Sequence, residues 1–225
     1  MTGETLFERL TAACAPEWEA YTRHRFVREL GAGTLPEACF RHYLCQDYLF
    51  LMHFARAYAL AAFKAETLDD MRRSAAKVST LIDTEMSLHV AFCAEWGLSE
   101  AQMAAVPEAS ATVAYTRYVL DRGMAGDLLD LHTALLPCIA GYAVIGAWLI
   151  DHPETRLEGN PYRRWIELYA GESFQPVARD AIAHLDLLME RRGGPGRMDS
   201  LIHTFRTATV AEIAFWDMGL NPPSR

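Results

Sequence analysis

The sequence predicts an all-α protein, a bundle of long helices in a single domain over residues 1–225. Apolar residues recur at three- and four-residue steps over most of the chain, and no useful stretch alternates between apolar and polar residues as a half-buried strand would. The 225 residues, 51% of them hydrophobic and 22% charged, can bury one sizeable core. Several predicted helices are long, which favours antiparallel packing in a bundle.

At the start of the chain, Gly3–Leu30 has apolar residues at helical spacing that one proline interrupts. We expect two short helices there, the second ending at Gly31. Thr34 and Glu37 then match a capping box, in which each side chain bonds the backbone N–H of the other residue. They predict the start of a long helix that runs to about Glu66.

The later helices are separated by turns that contain glycine. Ser99 and Gln102 form a second candidate capping box. The periodicity predicts further helices at about 68–96, 109–125, 127–151, 161–170, 174–192 and 198–218.

The most apolar stretch is Leu131–Ile150, which has no charged residue except a titratable His132. It is long enough to span a membrane, but aspartates flank it without Lys/Arg asymmetry, so we expect a buried central helix. Pro137 lacks an N–H and crowds the carbonyl four residues earlier, which predicts a kink beside Cys138. A kink next to a thiol suits a pocket wall. On this stretch alone, a bent core helix with a small buried cysteine is the favoured interpretation.

Composition excludes some classes of function. The net charge of -8 provides no field to hold a phosphate backbone, so nucleic-acid binding is disfavoured. The five cysteines match no zinc motif, and the N-terminus has acidic residues where a signal peptide would be basic and then apolar. We expect a cytoplasmic protein with reduced thiols and neither a metal nor a cofactor.

Two acidic residues interrupt apolar helix faces. Asp47 shares a stripe with Phe50, and Glu212 shares one with Phe215. Burying a carboxylate without a partner costs on the order of several kcal/mol or raises its pKa. Pairing with an arginine or a tyrosine hydroxyl explains Asp47 as well as a polar ligand does. Together with Cys138, however, these groups on three helices favour a shared ligand in the core.

Several short motifs, taken in order, resemble one known family. They are Gln46-Asp47-Tyr48, His53-Phe54-Ala55, Glu85-Met86-Ser87-Leu88-His89, Tyr115-Thr116, Leu136-Pro137-Cys138, Trp165-Ile166 with Tyr169, and Glu212 with Phe215-Trp216. The ordered set covers nearly the whole chain and resembles the TenA family, also called thiaminase II or aminopyrimidine aminohydrolase, within the haem-oxygenase-like helical proteins.

This resemblance implies a haem-oxygenase-like helical bundle with the active site in its core, usually as a homotetramer. It also implies a role in thiamin salvage. Cysteine-bearing members hydrolyse 4-amino-5-aminomethyl-2-methylpyrimidine to 4-amino-5-hydroxymethyl-2-methylpyrimidine and ammonia, with cleavage of thiamin as a side activity. The resemblance implies no cofactor.

Residue by residue, the resemblance also implies roles. Cys138 matches the nucleophile that adds to the pyrimidine ring, Asp47 the carboxylate that bonds the ring nitrogen and amino group, and Glu212 the acid/base residue for the leaving group and water. The matching pocket aromatics are Tyr115, Tyr142, Tyr169 and Phe215. Phe50 stands where a stacking tyrosine is often found. Its ring still stacks on a pyrimidine, and the missing hydroxyl is expected to alter substrate preference.

These residue types suit the chemistry. A thiolate that adds to an electron-poor pyrimidine turns substitution at the exocyclic carbon into an elimination. General acid–base help from Glu212 would contribute on the order of 100- to 10,000-fold. Both Asp47 and Glu212 have apolar neighbours, so we expect raised pKa values.

Two other functions are weighed against this one. A di-iron oxidase on a similar bundle would take its ligands from Glu85, His89, Asp180, His184, His203 and Glu212. Bundle di-iron sites usually have two Glu-x-x-His pairs, which are absent from this sequence, and we interpret the i, i+4 pair Glu85 and His89 as ordinary hydrogen-bonding residues. A non-catalytic regulatory protein is the second alternative, although the acidic charge and the lack of a helix-turn-helix signal weigh against it.

Overall fold

The computed structural model describes residues 3–223, and within this range every regular element is a helix. The helices are α1 (Leu6–Ala13), α2 (Ala15–Thr22), α3 (Arg25–Ala32), α4 (Glu37–Lys64), α5 (Leu68–Ser79), a π-helical segment (Thr80–Glu85), α6 (Met86–Glu95), α7 (Glu100–Ala104), α8 (Ser110–Ala125), α9 (Leu128–Asp151), α10 (Arg163–Ala170), α11 (Gln175–Arg192) and α12 (Arg197–Leu220). The predicted all-α class is confirmed.

The first segment forms three short helices, so the prediction of two helices ending at Gly31 is wrong. The third helix, α3, begins after His24, whose ring nitrogen accepts a hydrogen bond from the N–H of Phe26 at 3.2 Å. It ends at Gly33, which adopts a left-handed φ of 72°. A histidine cap is a weak signal in sequence, since Ser, Thr, Asp and Asn are the usual caps.

One of the two predicted capping boxes is correct. The Thr34 hydroxyl and N–H both donate to the carbonyl of Glu29 in α3, at 3.4 and 2.8 Å, and α4 begins without a side-chain cap. The box at the start of α7 is confirmed. The N–H of Gln102 donates to the Ser99 hydroxyl at 3.3 Å, and the N–H of Ser99 donates to the Gln102 side chain at 2.9 Å.

The predicted helix at 68–96 contains a π-helical segment, Thr80–Glu85, between α5 and α6. A π turn places one more residue in the turn than an α-helix does, which rotates the residues after it by about 100° relative to a continuous α-helix. The segment therefore decides which face of α6 each side chain occupies.

The chain divides into two compact units. The first comprises Met1–Leu35 and His132–Asp217, and the second comprises Pro36–Leu131 and Met218–Arg225. Within the second unit, α4 packs against α5, α6, α7 and α8.

An aromatic cluster forms the core of the first unit. The ring of Trp216 stacks on Phe26, with 4.9 Å between centroids, and its centroid lies 5.5 Å from that of Tyr142.

Helix α9 is apolar and long enough to span a membrane, but 72% of its most apolar 18-residue stretch is buried inside the structure. The prediction of a buried core helix is thus confirmed, and the helix continues through Pro137 without a break.

Candidate active site

Asp47 is a buried carboxyl group on α4, only 8% exposed. Its Oδ2 lies 3.5 Å from Nδ1 of His89 on α6. Burial raises the pKa of Asp47 to about 6, against the opposing effect of a positive charge on His89. The expected rise in pKa is confirmed for Asp47, and its partner is a histidine rather than an arginine or a tyrosine hydroxyl.

Both ring nitrogens of His89 lie near oxygen atoms. Nε2 lies 3.1 Å from the backbone carbonyl of Leu44, and Nδ1 faces Asp47. The ring is also roughly parallel to that of Tyr48, with 6.5 Å between centroids. The interpretation of His89 as an inter-helix hydrogen-bonding residue is confirmed.

The link between His89 and Asp47 was missed because no sequence signal relates residues so far apart in the chain. The π-helical segment ends at Glu85, four positions before His89. The segment shifts the helical register. A continuous α-helix would therefore place His89 on the wrong face of α6.

Phe50 follows Asp47 by three positions on α4 and lies on the same helix face. Its ring centroid is 5.0 Å from that of Tyr115 on α8 and 5.6 Å from that of Phe54. Phe50 and Tyr115 are both buried. Within the second unit, the structure therefore brings together Phe50 and Tyr115, two of the predicted site residues.

Gln46, next to Asp47, has a structural role. Its fully buried side chain donates to the carbonyl of Pro107 at 3.0 Å, and it accepts hydrogen bonds from the N–H of Ala109 at 2.9 Å and the hydroxyl of Thr112 at 2.7 Å. These bonds hold α4 against the start of α8, the helix on which Tyr115 lies.

Two further cysteines in the second unit are poor candidates for a nucleophile. Burial, with added effects from the nearby Asp47 and Cys45, raises the pKa of Cys93 to about 12. Burial also raises the pKa of Cys45, against the effect of Arg41. Because the thiolate is the reactive form, both groups are unreactive at neutral pH.

Cys138 lies on α9 in the first unit and is partly exposed, whereas the other cysteines are buried. Tyr142 follows it by four positions, on the same face of the helix. The hydroxyl of Tyr21 donates to the carbonyl of Pro137 at 3.2 Å, so the backbone just before the thiol is held by a neighbouring helix.

Two predicted aromatics of the first unit are in direct contact. The ring centroids of Tyr142 and Tyr169 are 4.9 Å apart, and that of Trp165 is 4.5 Å from Tyr169. The side chain of Gln175 donates to the carbonyls of Tyr169 at 2.8 Å and Ala143 at 2.9 Å. These two bonds fix α10 and the start of α11 against α9.

Glu212 and Phe215 lie one turn apart on α12, and each is only 2% exposed. Their spacing places the acid and the ring on one face of the helix. The expectation that Glu212 is a buried carboxyl group in an apolar stripe is confirmed.

The alternative di-iron site finds no support in the geometry. Among residues 3–223, no three His, Cys, Asp or Glu side chains lie close enough together to hold a metal ion. Glu85 instead forms an ion pair with Lys77 at 3.4 Å, and His184 packs edge-on against His132 with 4.8 Å between ring centroids.

Comparison with known proteins identifies the family of this chain. The model of the TENA/THI-4/PQQC family matches residues 11–222. The chain belongs to this family. It is 43% identical over 216 residues to an uncharacterized protein of Haemophilus influenzae, covering 96% of this chain and 99% of the relative. It is 36% identical over 213 residues to an aminopyrimidine aminohydrolase of Halalkalibacterium halodurans, covering 92% and 91%.

Solved structures similar to this chain have the same fold. A TenA family transcription regulator from a Silicibacter species is 43% identical, with a TM-score of 0.91 over 96% of this chain and 97% of that one. A domain of unknown function with a heme oxygenase-like fold from Shewanella denitrificans is 13% identical, with a TM-score of 0.74 over 97% and 93%. The expected haem-oxygenase-like fold is therefore confirmed.

Proposed function

We propose that the chain is an aminopyrimidine aminohydrolase of thiamin salvage, in the cysteine-bearing branch of its family. Its reaction would be hydrolysis of 4-amino-5-aminomethyl-2-methylpyrimidine to the hydroxymethyl compound and ammonia, with cleavage of thiamin as a side activity. The main observation in support is Asp47, a buried carboxyl group with its pKa raised to about 6, on one helix face with an aromatic ring. Relatives named aminopyrimidine aminohydrolase support the same activity.

Asp47 suits recognition of an aminopyrimidine. Such a ring presents a nitrogen that accepts a hydrogen bond next to an amino group that donates one. A carboxyl group with one available proton can both donate and accept, so it matches this edge. Flat aromatic side chains supply stacking faces for the ring, and the proposed set is Phe50, Tyr115, Tyr142, Tyr169 and Phe215.

Cys138 is the proposed nucleophile. Its thiolate adds to a ring carbon of the pyrimidine, which removes the aromaticity of the ring. The C–N bond to the exocyclic carbon then breaks, and ammonia leaves with a methylene group remaining on the ring. Water adds to that methylene carbon, the C–S bond breaks, and the aromatic hydroxymethylpyrimidine is released with the thiolate restored.

Glu212 is the proposed acid and base. It donates a proton to the departing amine and then accepts one from the attacking water, so it returns to its starting state after each turnover. Its burial on the same helix face as Phe215 supports the role, because the carboxyl group shares that face with an aromatic ring.

We also propose a cytoplasmic homotetramer in which residues 1–225 act as one domain. The second unit exposes several large apolar side chains, and Phe63 is 85% exposed. The exposed set is Met52, Phe63, Leu68, Met71, Ile82, Leu88, Val113 and Met124. Exposed apolar surface is typical of subunit contacts. Light scattering should give four times the 25.2 kDa chain mass, and a mass equal to one chain would contradict the proposal.

The activity is tested with metal-free protein and the aminomethylpyrimidine as substrate. Ammonia and hydroxymethylpyrimidine should appear in equal amounts, and thiamin should be cleaved more slowly. Release of neither product from the aminomethylpyrimidine by folded protein would contradict the proposed function.

A further inference from the structure

Both nitrogens of His89 face a hydrogen-bond acceptor. The carbonyl of Leu44 lies 3.1 Å from Nε2, and Oδ2 of Asp47 lies 3.5 Å from Nδ1. A neutral imidazole has a single N–H and can donate in only one direction. If Asp47 is a carboxylate at the same time, the other ring nitrogen directs a lone pair at an oxygen in a buried site, which is unfavourable.

One additional proton removes this conflict. It can sit on His89, so that both ring nitrogens donate, or on Asp47, so that the acid donates to Nδ1. We propose that Asp47 and His89 hold this proton jointly at neutral pH, and that His89 is a positioning residue that keeps it available to a ligand of Asp47.

The groups around Asp47 and His89 support a proton shared by the pair. The electrostatic effect that opposes the raised pKa of Asp47 comes from His89. The other titratable groups around the pair are Cys45 and Cys93, whose thiols burial keeps protonated, and Tyr48, whose hydroxyl donates to Glu100 at 3.1 Å. Arg41 of α4 acts electrostatically on Cys45, whereas the charge that acts on the pKa of Asp47 is that of His89.

The inference deepens the proposed function and rests on it for the identity of the ligand. Two hydrogen bonds between a carboxyl group and the edge of an aminopyrimidine need one proton between the ring nitrogen and the carboxyl oxygen. If the pair already holds that proton, a neutral aminopyrimidine binds without taking a proton from solvent. If it does not, binding at neutral pH is accompanied by uptake of a proton.

The first test uses the free protein and needs no ligand. NMR of 15N- and 13C-labelled protein at neutral pH reports the protons on both His89 nitrogens and the charge of the Asp47 carboxyl carbon. His89→Gln assigns the signals, since glutamine keeps a donor near Leu44 and removes the nitrogen beside Asp47; Asp47→Asn assigns them if that variant does not fold. We expect the pair to hold one proton more than a neutral imidazole beside a carboxylate would hold. A neutral His89 beside an ionised Asp47 would overturn the proposal.

The second test measures protons taken up on binding. Calorimetric titration of 4-amino-5-hydroxymethyl-2-methylpyrimidine, in two buffers of different ionisation enthalpy, gives the number of protons bound per ligand. We expect about none for the wild type near neutral pH and, for His89→Gln, an uptake that rises toward about one as the pH is raised above the pKa that Asp47 has without His89. The control is His203→Gln, an exposed histidine on α12, which should match the wild type.

The outcomes separate the two proposals. Equal proton uptake by the wild type and His89→Gln would overturn the role of His89 while leaving a pyrimidine site in place. No binding of the pyrimidine by the wild type would overturn the ligand and the proposed function together, whereas the NMR result on the free protein would still decide whether the pair shares a proton.

Discussion

The hydroxyl of Tyr21 donates a hydrogen bond to the carbonyl of Pro137 at 3.2 Å, directly before Cys138 in the chain. Tyr21 is fully buried, and its ring packs against Gly141 so closely that a Cβ at that position would collide with it. The glycine thus permits α2 and α9 to approach each other. This contact fixes the part of α9 that contains the proposed nucleophile.

Replacing Tyr21 with phenylalanine tests this contact. Tyr21→Phe retains the ring and removes one buried hydrogen bond, so the free energy of unfolding should fall by about 1 kcal/mol. Urea denaturation measures the change, and an unchanged slope with urea shows that the unfolded state is comparable. A variant as stable as the wild type would contradict the importance of this bond.

Gln46 should stabilise the protein without taking part in catalysis. Gln46→Met keeps nearly the same volume but leaves the N–H of Ala109, the hydroxyl of Thr112 and the carbonyl of Pro107 without this partner. We expect a loss of roughly 2 to 4 kcal/mol in the free energy of unfolding. The test is urea denaturation together with kcat/KM per folded molecule. A change in activity without a change in stability would contradict the structural role.

Asp47 should reduce stability at neutral pH. Its pKa rises from 3.8 to about 6 on folding. As the pH rises from about 4 to 6, the unfolded chain therefore releases a proton that the folded protein retains, and stability falls. Above that window the cost of burying Asp47 is about 3 kcal/mol.

Asp47→Asn should accordingly be more stable than the wild type at neutral pH, and the difference should shrink as the pH approaches 4. Thermal unfolding of both proteins across this range measures it. The same substitution should greatly reduce aminohydrolase activity. A stability difference that grows as the pH falls would show that the pKa of Asp47 is lowered instead.

Phe50 should influence the choice of substrate. Phe50→Tyr adds a hydroxyl to a ring that contacts Tyr115 and Phe54. One hydrogen bond changes binding by about 2- to 10-fold, so the ratio of kcat/KM for the aminomethylpyrimidine to that for thiamin should shift by this factor. Phe54→Tyr, one turn further along α4, is the matched control. Equal ratios in all three proteins would contradict a role for position 50.

Much of the fold follows from the sequence because helix periodicity is a local property. The long helix α4 and the apolar helix α9 were predicted, and so was the carboxyl group of Asp47 within an apolar face. Thr34 was assigned to the wrong helix, since its polar groups bond the carbonyl of Glu29 behind it. The π-helical segment had no signal, because it changes only the register of hydrogen bonds within a continuous helical pattern.

The partners within the site depend on tertiary structure. Pairing with an arginine or a tyrosine hydroxyl was one of two explanations left open for Asp47, and its neighbour is His89 from a helix whose register the π segment alters. Gln46 has no local periodicity that would reveal its three partners. Residue types thus predicted which side chains are chemically suited to the site, while packing determined which of them meet.

The central claim is that a thiol at position 138 is required for hydrolysis, and Cys138→Ala tests it most directly. The matched control is Cys14→Ala, which removes a buried thiol from the same unit. Both variants are compared with the wild type for kcat/KM of ammonia release from the aminomethylpyrimidine, after their folding is verified. The account predicts a loss of at least about 1,000-fold in Cys138→Ala and activity close to wild type in Cys14→Ala. Retention of activity by folded Cys138→Ala would contradict it.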